Sequence, residues 1–158
     1  MVEKDQSGTD GMTLRLRQAC VTDLPAIYRG EESYIRTWEP VHEASWRRDL
    51  ERHLTRWVDN FDHLTVAVID DAFAGYSLWI PEGVYAELCT LHVTPSCRRS
   101  GVGAKLLDAY MFDAAFQGFT QLRLSVRPDN PASVMYQKAG FSCTGIGANG
   151  YLTFKRRI

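Results

Sequence analysis

The stretch 84–107, VYAELCTLHVTPSCRRSGVGAKLL, limits what this chain can fold into more than any other. Residues 84–93 are rich in β-formers and stop at Thr94-Pro95, because proline cannot donate to a sheet ladder, and 101–117 then repeats apolar residues at helical spacing. A strand must therefore hand over to a helix across one short turn. In that turn Arg98, Gly101 and Gly103 form an R-x-x-G-x-G pattern at the mouth of the helix. The first backbone N–H groups of a helix have no intrahelical partner and the dipole there is positive, so the pattern suits a phosphate. Gly103 inside the first helical turn costs up to about 1 kcal/mol relative to alanine, which implies that something approaches the backbone closely. Two better-known phosphate loops do not match. A Walker loop needs Ser or Thr after its lysine, and this segment reads GVGAKL; a dinucleotide fingerprint needs a third glycine and a later acidic residue, where the chain has Leu106 and Arg123. On this hexapeptide alone, a glycine-rich helix start without any ligand explains the residues equally well.

A second motif decides between them. The segment NPASVMYQKAGF, from Asn130 through Tyr136 to Gly140 and Phe141, follows a predicted strand at 121–126 and closely resembles a signature of the GNAT N-acetyltransferase superfamily. The glycine loop resembles that family's pyrophosphate loop, and LRLRQACVTDLPAI resembles its first strand and helix, so the likeness runs over about 13–154. The resemblance implies an α/β, single-domain GNAT-like fold, a mixed central sheet of about seven strands flanked by about four helices. It also implies an enzyme, an acetyl-CoA-dependent N-acetyltransferase that moves an acetyl group to a primary amine by direct attack in a ternary complex. Two other readings stay open: a CoA-binding regulatory module without turnover, and an acyltransferase using a different acyl-CoA donor.

Composition narrows the partners. The 158 residues suit one domain, expected at 12–158, with a polar, aperiodic and disordered leader at 1–11. A net charge of −1 and the lack of a polybasic run argue against a nucleic-acid partner. No apolar stretch is long enough to span a bilayer and the first residues lack a signal-peptide core, so no membrane partner and a cytoplasmic location are expected. Cys20, Cys89, Cys97 and Cys143 have no C-x-x-C spacing, and no metal is expected. The acceptor is expected to be a small-molecule or peptide amine, and the fold allows a homodimer.

Taken in order, 13–18 alternates as a strand, and Thr22-Asp23-Leu24-Pro25 starts a helix reaching about Ile35. A second helix is predicted at 43–58, with Trp46, Leu50, Leu54 and Trp57 on one face and the tryptophans packed in the core. Strands follow at 64–69 and 73–80 around an Asp70-Asp71 turn, then the strand 84–93, the helix 101–117, the strand 121–126, the helix 131–138 ended by Gly140, and last strands at 142–146 and 151–155.

The resemblance assigns the chemistry residue by residue. Backbone N–H groups of Arg99, Ser100, Gly101, Val102, Gly103 and Ala104 meet the pyrophosphate of acetyl-CoA, with charge from Arg98 and Lys105. The edge of Leu91, His92 and Val93 pairs with the pantetheine arm as an added strand does. An alkylammonium has no lone pair at neutral pH, so transfer needs a base, an oxyanion donor and an acid for the leaving thiolate. Glu87, eleven residues before Arg98 on a strand expected to be mostly buried, is the base candidate, with an ion pair as the rival role and Glu32, Glu39 and His92 as substitutes. Tyr136 is the acid, against a plain core role. Asn130 serves either as a helix cap alone or as a contact to the pantetheine arm.

Overall fold

Residues 13–158 are described by a computed structural model, and the leader expected at 1–11 lies outside them. Strand β1 (Leu14–Gln18) alternates, with Leu14 and Leu16 packed inward and the arginines outward. Helix α1 (Leu24–Trp38) follows and runs past the predicted end. Asp23, just before it, does not cap the helix with its side chain. Its carboxylate instead accepts the Cys20 N–H at 2.8 Å and two N–H groups of Arg17 at 2.7 and 2.8 Å, which ties β1 to the head of α1. Those hydrogen bonds from Arg17 hold the Asp23 carboxyl down at about 2 despite its burial.

The helix predicted at 43–58 is divided into α2 (Glu43–Arg48) and α3 (Leu50–Asp59), so the sheet is flanked by five helices rather than four. Asp49 leaves helical geometry at ψ 17°, consistent with a side chain that competes with backbone groups and disfavours helix interiors. Trp57 is buried in a cluster with Ile27, Leu64, Val66, Tyr76 and Leu78, as a core residue should be. Trp46 is buried beside Tyr28 and His53, with ring centroids 5.3 and 5.7 Å away.

Strands β2 (Leu64–Ile69) and β3 (Ala72–Glu82) form the expected hairpin. Its two turn residues, Asp70 and Asp71, both have positive φ, 50° and 67°, the twist that lets a two-residue turn join antiparallel strands. Strand β4 (Tyr85–Val93), helix α4 (Val102–Phe116), strand β5 (Gln121–Val126), helix α5 (Ala132–Lys138) and strands β6 (Ser142–Ile146) and β7 (Leu152–Arg157) complete the chain. The seven strands make one mixed sheet in the order β1-β2-β3-β4-β5-β7-β6. One face is covered by α4 and α5 through a cluster that includes Trp79, Leu107, Tyr110, Leu124, Phe141 and Phe154, and the other by α1 and α3.

Two irregularities position the site. β4 and β5 are the parallel pair, and they pair only from Tyr85↔Gln121 to Leu88↔Leu124, while β4 continues to Val93. A wedge therefore opens in the middle of the sheet. Just where it opens, Leu88 pairs with Trp79 and Thr90 with Leu78, leaving Cys89 as the extra residue of a β-bulge. The bulge resets the side-chain alternation: Leu88 and Leu91 pack toward α4, whereas Cys89, Thr90 and His92 face α1 and α3.

Candidate active site

The wedge leads into two cavities that share Tyr34, Leu91, His92 and Asn130. The first, of about 540 Å³, runs along the edge of β4 to the start of α4 and is lined by Leu91, His92, Val93, Arg98, Arg99, Gly101, Val102, Gly103, Ala104 and Asn130. Ser100 and Lys105 are exposed and are not brought to it. Gly101 has φ 83°, which a residue with a Cβ adopts only under strain, and it lets the chain swing from the loop into the helix. The first i to i−4 bond of α4 runs from Lys105 N–H to the Gly101 carbonyl at 3.1 Å, so the N–H groups of Val102, Gly103 and Ala104 face out of the helix end.

The close approach expected at Gly103 is made by a neighbouring helix. A Cβ there would stand 3.2 Å from the Met135 sulfur and 3.7 Å from Val93, so the close neighbour is α5 as well as the groove. Arg98 bends back and donates from Nε to the Val93 carbonyl at 3.2 Å. The Asn130 side chain accepts the Ala132 N–H at 2.9 Å, which is the capping role, and the residue also borders both cavities.

The second cavity, about 290 Å³, is a cleft between α1, α3, the splayed strands and the β6–β7 connection. Tyr136 lines it from α5 while nearly its whole ring packs in the core, and burial pushes its phenol up to about 12, which keeps it protonated. His92 lines the cleft but is buried against Tyr76, and burial lowers it to about 4; it is neutral at physiological pH. Gly30 makes that packing fit, since a Cβ there would lie 2.7 Å from the Tyr76 ring.

The carboxylates fall into distinct places. Glu87 is not brought to Tyr136: it borders a separate groove with Arg123, Thr153 and Lys155, and Arg123 Nε holds its carboxylate at 2.5 Å. The register Glu87↔Arg123↔Lys155 explains this pairing as a cross-strand charge ladder, which supplies the partner a half-buried carboxylate needs. Glu32 sits outside the cleft, paired with Arg47 at 2.5 Å and Arg36 at 3.6 Å. Glu39 stands in the cleft wall and accepts the Tyr151 hydroxyl, bridging α1 to the last hairpin.

Glu31, which the sequence reading did not single out as a catalytic candidate, lies in the cleft and accepts a long hydrogen bond, 3.4 Å, from the Thr90 hydroxyl on the splayed part of β4. Burial raises its carboxyl to about 7. A signal existed in the spacing Ile27, Glu31, Tyr34, an acidic residue on the inward stripe of α1. Among the described residues no group of three or more His, Cys, Asp or Glu side chains is arranged to hold a metal, and no helix is long and apolar enough to cross a membrane.

A family model described as the acetyltransferase (GNAT) family matches residues 27–141, from within α1 to just past α5. Among solved structures, the chain resembles the PaiA N-acetyltransferase from Thermoplasma acidophilum in complex with coenzyme A, at 20% identity and a TM-score of 0.76, over 92% of this chain and 99% of that one. A ribosomal-protein-alanine N-acetyltransferase from Brucella melitensis is similar at 20% identity and a TM-score of 0.77, over 91% and 99%. Ard1 from Thermoplasma volcanium is similar at 22% identity and 0.70, over 92% and 97%. These likenesses are of fold.

Proposed function

The chain belongs to the GNAT acetyltransferase family, and from that premise we propose that it transfers an acetyl group from acetyl-CoA to a primary amine held in the cleft. The observation that carries the reading is the meeting of two cavities at Leu91, His92 and Asn130, one walled by backbone donors and one by acidic and aromatic side chains. A thioester delivered along the first groove arrives at the wall of the second. Acetyl-CoA, when bound, supplies an activated acyl carbon.

The residues present fit such a substrate. The outward N–H groups of Val102, Gly103 and Ala104 suit a diphosphate, and they need no side-chain charge to do so. Beyond Leu88 the β4 edge has no β5 partner, so its peptide groups are available to the amides of a pantetheine arm. Tyr136, protonated at physiological pH, stands in the cleft wall as the donor to a departing sulfur. The acceptor side carries Glu31 and Glu39 beside the rings of Tyr34, Trp46 and Tyr151, a lining that favours a cation such as an alkylammonium.

Calorimetry with coenzyme A, followed by thiol release from acetyl-CoA across a panel of primary amines, tests the reading. Binding together with amine-dependent thiol release is expected. Binding without turnover on any amine would return the regulatory-module alternative, and preference for a longer acyl-CoA would change the donor.

A further inference from the structure

The acyl-transfer reading leaves the base unassigned, and the cleft offers few groups for it. The base must lie in the same cavity as Tyr136 and close to the splayed part of β4 that walls both cavities. Glu87 borders another groove and is engaged by Arg123, Glu32 is outside the cleft in its own ion pairs, and Glu39 is bound by the Tyr151 hydroxyl toward the last hairpin. Glu31 alone among these carboxylates is joined to the splayed strand, through Thr90, the residue before Leu91.

Resting on that reading, we infer that Glu31 is the catalytic base, the side chain that takes the proton from the acceptor's ammonium group in the cleft. The proton balance is complete with groups already named. Glu31 takes one proton from the ammonium; the freed lone pair forms the N–C bond to the acyl carbon as the C–S bond breaks. Tyr136 gives its proton to the departing sulfur, and the remaining surplus proton on nitrogen returns to the Tyr136 oxygen. Glu31 then releases its proton to solvent through the open cleft. One amide, one thiol and one proton result.

The bulge at Cys89 is what makes the arrangement, because without the extra residue Thr90 would point toward α4 and Glu31 would lose its hydrogen bond to the splayed strand. The titratable and charged groups that act on Glu31 or line its cleft come from three elements packed on α1. From β3 comes the buried Tyr76 hydroxyl, itself driven far up by burial and by Glu31; from α3 come Arg56, which favours the charged carboxylate, and His53. From β4 come Cys89, whose thiol is raised by burial and hydrogen-bonded by Arg56 at 2.9 Å, and the neutral His92. Desolvation prevails over the favourable Tyr76, Thr90 and Arg56, and a carboxyl at about 7 is matched to proton transfer at neutral pH.

The test compares Glu31→Gln with wild type in two ways. First, infrared difference spectra of the protein without substrate should show a protonated carboxyl that vanishes with a midpoint near 7 in wild type and is missing in the variant. Second, kcat/KM is measured against the best amine of the panel and against 2,2,2-trifluoroethylamine, which is already unprotonated at neutral pH. The variant should lose about a hundredfold or more with the first and only a few-fold with the second, with its coenzyme A affinity and melting temperature unchanged. Equal losses with both amines, a carboxyl that titrates as an ordinary glutamate, or a larger and pH-shifted loss in Glu87→Gln would overturn the assignment while acyl transfer stands. Failure of wild type on every amine would remove both.

Discussion

The groove at the head of α4 and the cleft beside α1, proposed to take donor and acceptor, share a wall, yet they are made of different material. The groove is built on backbone: a left-handed Gly101, the first N–H groups of α4 and the unpaired edge of β4. One contiguous stretch, 91–104, supplies that backbone, with α1 and the start of α5 closing the sides. The cleft is built on side chains from α1, α2, α3, β4, β5, α5 and the last hairpin, segments far apart along the chain. A surface made of backbone tolerates change in the side chains that pass over it, whereas a surface made of side chains is rewritten by each of them. On the proposed function, the acyl donor and the amine are therefore served by different parts of the same wedge.

The sharpest way to break this contrast is at Gly103. Gly103→Glu places a carboxylate among the phosphate-facing N–H groups, and its Cβ stands 3.2 Å from the Met135 sulfur. Calorimetry is expected to show coenzyme A affinity falling by about a hundredfold or more, since the added carboxylate repels a diphosphate at the helix end. Unchanged affinity would mean that the groove does not grip phosphate.

Tyr136→Phe should act on the opposite side. Turnover is expected to fall by about a hundredfold with coenzyme A affinity held within a few-fold, as loss of an acid predicts. Equal losses in both would make the tyrosine a packing residue of α5. Its buried ring keeps the phenylalanine variant folded, which a melting curve checks.

The smallest effect belongs to a change that touches neither region. Asp23→Asn removes the carboxylate that joins β1 to α1, and is expected to cost on the order of 1 kcal/mol at neutral pH, since the half-exposed Arg17 partner is screened by water. The folded carboxyl titrates at about 2, below its ordinary 3.8, so its contribution is full above 3.8 and is lost as pH falls through about 2. Denaturation midpoints for variant and wild type should therefore converge only in strong acid, with both ligand sites unmoved.

Much of the fold was legible in the residues because it rests on local rules. Alternation marked the strands, Pro95 stopped β4, paired aspartates marked the hairpin, and the helical repeats of α4 and α5 stood out. The helix broken at Asp49 was missed because its apolar stripe continues unbroken across the kink, and periodicity does not register a single residue's change in ψ. Glu87 looked like a charge in need of a reason, and the structure pairs it with Arg123, a cross-strand neighbour 36 positions away.

What the sequence determined by itself is the family, the order of elements and the glycine loop whose backbone lines the groove, because each depends on residues adjacent along the chain. What only the tertiary structure decided is where the sheet splits, that Cys89 is the bulge, and that Glu31 meets Thr90 across a 59-residue separation. Those are consequences of register and packing, and register is set by the sum of contacts between strands and helices rather than by any one segment.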